Sequence, residues 1–196
     1  KLTEARYHLV REVDTEVVMH FLAKQFLGET KTDAVDAFAN LSTIFDGAYN
    51  IAYINGEGLL VAARDPLGFR PLSYFTQPEM TAAASETCAF AGFAKEPPKT
   101  IPPGHMLIVD GNSSQVKQYA KSPKAAHCMF EWVYFSNAAS VLDGRSVYDV
   151  RWNLGRELAK VEPLKVNASD YVVAAVPDTG TPAAHAMAYE LGVPTM

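Results

Sequence analysis

Gly47–Leu72 reads GAYNIAYINGEGLLVAARDPLGFRPL. Two short apolar runs flank Asn55-Gly56-Glu57-Gly58. Strand-like runs on either side of an Asn-Gly pair specify a β-hairpin. Behind the hairpin, RDPLGFRPL (Arg64 to Leu72) sets two Arg around Pro66, Gly68 and Pro71. Gly68 is expected to take a backbone conformation closed to other residues. On residue types alone this is a structural bend locked by Arg64–Asp65 pairing.

The period changes on both sides of this stretch. Upstream, DTEVVMHFLAKQFLG places Val18, Leu22 and Phe26 in one apolar row, with Glu16, His20 and Lys24 on another side. That spacing predicts a helix with Asp14 as its N-cap and Gly28 as its stop. A second helix is expected near Asp33 to Phe45. Downstream, a short strand, a strand with a short helix near Glu86 to Ala91, and a hairpin in GHMLIVDGNSSQVKQYA are expected.

Lys121 to His127, KSPKAAH, reads as a linker. SVYDVRWNLGRELAKV then reads as a helix capped by Ser146, with Val147, Val150, Leu154, Leu158 and Val161 along one face. A strand at Tyr171 to Val176, a polar loop and an Ala-rich helix follow. The order is α+β followed by α/β, the latter of the parallel-sheet kind.

At 196 residues, 48% hydrophobic and 20% charged, the chain is long and apolar enough to bury a core. A net charge of -5 with scattered Lys and Arg points away from nucleic acid and from anionic membrane as partners. No apolar run approaches the roughly 20 residues of a membrane span. Two Cys, Cys88 and Cys128, make neither a disulfide framework nor a zinc site, and a reducing cytoplasm fits them. The first residue is Lys1 and the last segment is GVPTM, so both ends are expected to be cut.

The sharpest candidate site is Pro177-Asp178-Thr179-Gly180-Thr181, between the last strand and a helix starting near Pro182. A helix N-terminus offers unpaired N–H groups and partial positive charge to phosphate. Gly180 admits close approach, Thr179 and Thr181 add hydroxyls, and Asp178 suits a site where Mg²⁺ or another cation stands between carboxylate and phosphate. The alternative is an ordinary βα turn in which Asp or Thr caps the helix. Asp14 carries a similar pair of readings, a helix cap or a carboxylate for a ligand's ammonium group. Cys128 reads as a small buried hydrophobe or a metal ligand. The five His are dispersed, and none pairs with a nucleophile.

Several blocks together resemble the glutamine-dependent amidophosphoribosyltransferases, the enzymes that open purine nucleotide biosynthesis. They are VDTEVVMHFLA, the Gly47–Leu72 stretch with its R-D-P-x-G-x-R-P-L signature, ASET, PPGHMLIV, CMFEWVYFSNAASVLDGRSVYDVRWNLGREL and VPDTGTPAAHAMAYELGVP. They cover nearly the whole chain in family order. D-T-E-V and A-S-E also occur in other N-terminal-nucleophile glutaminases.

The resemblance implies part of an αββα N-terminal-nucleophile glutaminase sandwich joined to the start of a type I phosphoribosyltransferase domain. Residues 1–120 are then the C-terminal part of the glutaminase domain, 121–145 a junction, and 146–196 the beginning of the transferase domain. It implies that glutamine-derived ammonia displaces pyrophosphate from 5-phosphoribosyl 1-diphosphate, with Mg²⁺, to give phosphoribosylamine. Asp14 would hold the glutamine ammonium, and Asp178, Thr179, Gly180 and Thr181 would receive pyrophosphate. Cys128 matches one ligand of the 4Fe-4S cluster of some members. Purine nucleotides as feedback ligands, homo-oligomers and a cytoplasmic site are further implications.

The chain departs from the family at Val13, usually Ser or Thr, at His105, often Glu, and at Ser136 to Ser140, where SNAAS replaces A-R-P-D-S. The N-terminal Cys nucleophile and the ribose-binding acidic motif do not occur in these residues, so the chain by itself is expected to be inactive. Two alternatives remain: another glutaminase-coupled transferase, of glucosamine-phosphate or asparagine synthetase type, and a non-catalytic interaction or nucleotide-sensing module.

Overall fold

The structure is a computed structural model and describes residues 10–11, 13–27, 32–111 and 113–196. In chain order the elements are α1 (Asp14–Leu27), α2 (Ala34–Ser42), β1 (Asn50–Ile54), β2 (Leu60–Arg64), β3 (Ser73–Gln77), β4 (Met80–Ala84), β5 (Lys99–Thr100), β6 (His105–Asp110) and β7 (Ser113–Gln118). A short hairpin, β8 (Val141–Leu142) and β9 (Arg145–Ser146), leads into α3 (Val147–Val161) and then α4 (Thr181–Leu191). The chain divides into two compact units, Lys1–Gly68 with Pro102–Ala125, and Phe69–Ile101 with Ala126–Met196. These units cut across the divisions at 120 and 145 that the family resemblance implies.

In the first unit an antiparallel sheet runs β1-β2-β6-β7. The Asn55 turn forms as its sequence demands. Asn55 pairs with Leu59 through their backbones, and its side-chain oxygen accepts from the amides of Glu57 and Leu59, both at 3.0 Å. This closes the register at Ile54↔Leu60. Val61 and Ala63 of β2 and Met106 and Ile108 of β6 alternate onto one face and bury against Leu22, Phe38 and Leu41 of the two helices. Each large apolar side chain so buried contributes roughly 1.5–3 kcal/mol. Asp33 caps α2, accepting from the amide of Val35 at 2.6 Å. The expected stop at Gly28 lies outside the described residues.

The second unit holds the sheet β4-β3-β5 and an aromatic knot of Phe75, Phe90 and Phe93. Phe90 sits on a 3₁₀ turn, Thr87–Phe90, where the short helix was expected. Residues 121–128 carry no regular element, consistent with a linker. Glu131–Phe135 forms a π-helical turn that the sequence does not announce. Ser146 caps α3 as expected, accepting from the amide of Asp149 at 3.2 Å.

Two expectations for this unit fail. The buried positions of α3 are Val147, Arg151 and Gly155, whereas Leu154, Leu158 and Val161 are 41%, 53% and 74% exposed. The cause is the approach of α4, whose Ala183 carbonyl comes so close that a Cβ on Gly155 would lie 2.0 Å from it. A small residue, not a leucine row, sets this helix contact. The strand expected at Tyr171 to Val176 is reduced to one parallel bridge, Val173↔Thr195. Backbone bonds from Val173 to Pro194 and from Met196 to Val173, both 3.0 Å, hold it. The β-α-β order is present, with a single bridge as its sheet.

Candidate functional site

Asp14 is the first residue of α1 and not its N-cap, one position later in the helix than expected. Its side chain is exposed at the positive end of the helix. The turn before it is closed by Glu16, whose two carboxylate oxygens accept from the amides of Val10 and Arg11 at 2.7 and 2.6 Å. Those bonds, the Val10 amide first, hold the Glu16 carboxyl below the usual carboxylate range. Periodicity sets Glu16 apart from the apolar row and gives it no such task, and the Asp14 carboxylate stays at the surface.

The RDPLGFRPL bend is built around a buried Arg. Arg64 is fully buried and its guanidinium donates to the Gly68 carbonyl at 2.9 Å. Asp65, also fully buried, accepts from the Leu67 amide at 2.9 Å. Gly68 has φ 60°, and a Cβ there would lie 2.5 Å from the Pro103 ring, so no other residue fits. The Tyr119 hydroxyl donates to the Arg64 carbonyl at 2.7 Å and lies 3.1 Å from the Tyr49 hydroxyl.

Burial pushes the Tyr119 hydroxyl far above the ordinary tyrosine value, and the neighbouring Tyr49 and Asp65 add to the shift. Tyr49 is raised as well, again chiefly by burial. The unfolded chain would ionise both near pH 10 while the folded chain keeps its protons. Stability from this pair is therefore complete below pH 10 and is lost as pH rises above it. Denaturant midpoints between pH 8 and 11.5 should show that decline, and Tyr119→Phe should flatten it. A wild-type midpoint level through pH 11.5 would contradict the burial.

In the second unit the family-type blocks meet each other. Glu131, 4% exposed, pairs with Arg70 and accepts from the Ser136 hydroxyl at 2.8 Å. Arg70 also stands over the Phe135 ring at 5.3 Å. Glu86, from ASET, accepts from the Asn137 amide at 2.7 Å and the Ser140 hydroxyl at 2.8 Å. Arg151 of α3 spans two carbonyls, Trp132 at 2.8 Å and Ser136 at 2.7 Å. Burial pushes Arg151 down, and the Glu86 carboxylate opposes that shift. The sequence alone gives Glu86, Glu131 and Arg151 no such role. The signal was there in Glu86 and Glu131, acidic residues within otherwise apolar blocks.

The Pro177–Thr181 loop lies in the same unit. Gly180 is the N-cap of α4 and has no side-chain capping bond. The turn is held by its backbone, from Gly180 to Val176 at 3.1 Å and from Thr181 to Asp178 at 3.3 Å. The Pro177–Asp178 peptide is cis. α4 begins at Thr181 with Pro182 in its first turn. The cap that a plain βα turn would take from Asp or Thr is not made. Asp178 is exposed, and Thr179 and Gly180 are half-buried beside it.

Cys128 is half-buried and donates its amide to the Phe69 carbonyl at 3.0 Å. Among the described residues no three His, Cys, Asp or Glu side chains gather as a metal site. An iron–sulfur cluster takes four ligands, and Cys128 would supply one of them. Mg²⁺ is commonly held by one or two carboxylates plus substrate phosphates, and the exposed Asp178 carboxylate fits that pattern. His20 lies 3.7 Å from Glu16 and His127 3.6 Å from Asp143, while His185 is exposed. No helix among the described residues is long and apolar enough to cross a membrane.

Residues 1–92 match a glutamine amidotransferase domain family. The similarity to curated proteins continues well past that domain. An amidophosphoribosyltransferase of Methanothermobacter thermautotrophicus is 33% identical over 194 residues, covering 99% of this chain and 40% of that protein. A chloroplastic amidophosphoribosyltransferase of Arabidopsis thaliana is 37% identical, covering 99% of this chain and 35% of that protein. Among solved structures, the glutamine phosphoribosylpyrophosphate amidotransferase of B. subtilis complexed with ADP and GMP matches with a TM-score of 0.84 at 30% identity, covering 100% of this chain and 41% of that one. An allosteric regulatory enzyme of purine biosynthesis matches with a TM-score of 0.87, also at 30% identity. The fold is accordingly that of part of an N-terminal-nucleophile glutaminase continued into α/β structure. Glutaminase-coupled enzymes with other synthase partners do not account for a match that runs on through α3 and α4. The chain belongs to the amidophosphoribosyltransferase family, and it spans about two fifths of the length of the relatives it matches.

Proposed function

We propose that this chain serves the formation of phosphoribosylamine from glutamine and 5-phosphoribosyl 1-diphosphate. The observation that carries this reading is a match over 99% of the chain that includes both the DTEV segment and the 178–181 loop. Residues 1–120 belong on this reading to the glutaminase domain, 121–145 to the junction and 146–196 to the transferase domain.

The exposed Asp14 carboxylate binds the α-ammonium of glutamine through a charge-assisted contact and orients the substrate for hydrolysis. The 178–181 loop, with the Thr179 and Thr181 hydroxyls, receives the pyrophosphate that ammonia displaces at the positive end of α4. Asp178 would hold Mg²⁺, which would supply the positive charge that a carboxylate beside phosphate needs. The described residues hold no cluster set around Cys128, and no step runs through one. Purine nucleotides as feedback ligands are supported by the B. subtilis relative, whose structure is complexed with ADP and GMP. Assembly into homo-oligomers and a cytoplasmic site complete the proposal.

Asp14→Ala tests the glutamine side. In the natural protein that carries this sequence, the KM for glutamine should rise about 10- to 100-fold, the worth of a lost charge-assisted bond. The ammonia-supported reaction should stay within twofold. Equal losses with both nitrogen sources would mean that Asp14 only supports α1.

A further inference from the structure

The buried polar cluster of the second unit connects to the 178–181 loop through α3. Arg151 grips the junction by two backbone carbonyls, Trp132 and Ser136, and is 3% exposed. Glu131 fixes the same junction from its side chain through Ser136 and Arg70. Glu86 fixes the next residues through the Asn137 amide and the Ser140 hydroxyl. The Ser140 carbonyl then accepts from Val147, and the Ala138 carbonyl from Tyr148, which sets the start of α3.

One helical turn beyond Arg151, on the same face, is Gly155. There the backbone of α3 meets the Ala183 carbonyl in the first turn of α4. Ala184 in that turn donates to Gly180 at 2.9 Å. The opposite end of α4 is tied back by Arg156 and Glu190 at 2.6 Å. A shift of α3 along its axis therefore reaches the residues on which the loop amides depend, because no gap at Gly155 can absorb it.

We propose that Arg151 is a positioning residue for the 178–181 loop: it fixes α3 on the junction and, through the Gly155–Ala183 contact, sets the loop for the pyrophosphate group. The role for pyrophosphate rests on the function proposed above; the positional coupling does not. A guanidinium spans two carbonyls in a fixed fork, which a lysine ammonium reproduces poorly. Preorganised contacts held by a supporting shell lose affinity when that shell loosens.

The test is Arg151→Lys, which keeps the charge, read two ways. Amide hydrogen exchange in the natural protein that carries this sequence should speed up at least 10-fold at Gly180 and Ala184 and stay within twofold at Met106 and Leu107 of β6. In the natural protein, the ammonia-supported reaction should show a KM for 5-phosphoribosyl 1-diphosphate raised about 10-fold, with glutamine hydrolysis unchanged. Gly155→Ala presses on the same contact from the other side and should reproduce both effects, so the proposal stays testable if Arg151→Lys does not fold. Unchanged exchange at Gly180 and Ala184 would overturn it, as would an equal rise at every amide, which marks general destabilisation. If the wild type transfers no phosphoribosyl group, the functional reading fails, and the exchange result still decides the coupling.

Discussion

Arg64→Ala is expected to destabilise the chain by about 4 kcal/mol, the sum of a lost charged hydrogen bond and an unfilled cavity. Arg64 is among the largest fully buried side chains and donates to the Gly68 carbonyl at 2.9 Å. Alanine removes the donor from a carbonyl that water does not reach. It also empties the volume that the guanidinium fills beside Gly68, and the left-handed Gly68 turn loses its fastening. Domains are stable by only about 5–15 kcal/mol in total, so the first unit should lose a large share of its margin. Tyr119→Phe, which deletes only the hydroxyl on the Arg64 carbonyl, should cost about 1 kcal/mol. Urea unfolding followed by tryptophan-independent circular dichroism separates the two. Equal, small effects would mean that the bend does not depend on its arginine.

Gly180→Ala is expected to lower kcat/KM for 5-phosphoribosyl 1-diphosphate about 100-fold in the ammonia-supported reaction, while glutamine hydrolysis continues. A Cβ at this position would lie 2.8 Å from the Val176 carbonyl, which is also the acceptor of the Gly180 amide at 3.1 Å. The loop has to open to admit the methyl group, and the residues that receive the pyrophosphate move with it. The backbone conformation at Gly180, φ -75° and ψ -12°, is open to alanine, so the effect comes from space alone. Unaltered transfer kinetics would remove this loop from the site.

The local parts of this molecule were legible where one short stretch decides the outcome. Asn55-Gly56 announces its hairpin, Ser146 announces its cap, and the 177–181 loop stands out between an apolar run and an Ala-rich helix. Legibility ended where a partner distant in sequence decides. The leucine row of α3 predicted the wrong buried face, since Gly155 packs on a residue that the helical period cannot foresee. Glu86 and Glu131 look like misplaced charges until Asn137, Ser140, Arg70 and Ser136 fold around them. Asp14 shows the usual one-residue error at a helix end, and there Glu16 reaches back to the preceding amides. The family resemblance supplied what pattern could not, a reason to read Asp14 and Asp178 as more than caps.

The central claim is tested most directly by supplying the natural protein that carries this sequence with 5-phosphoribosyl 1-diphosphate, Mg²⁺ and either glutamine or ammonium chloride. Pyrophosphate release is then measured. The account predicts release with both nitrogen sources, one pyrophosphate per phosphoribosylamine, matched by one glutamate when glutamine is the donor. A folded protein that hydrolyses glutamine yet releases no pyrophosphate with either source would contradict it.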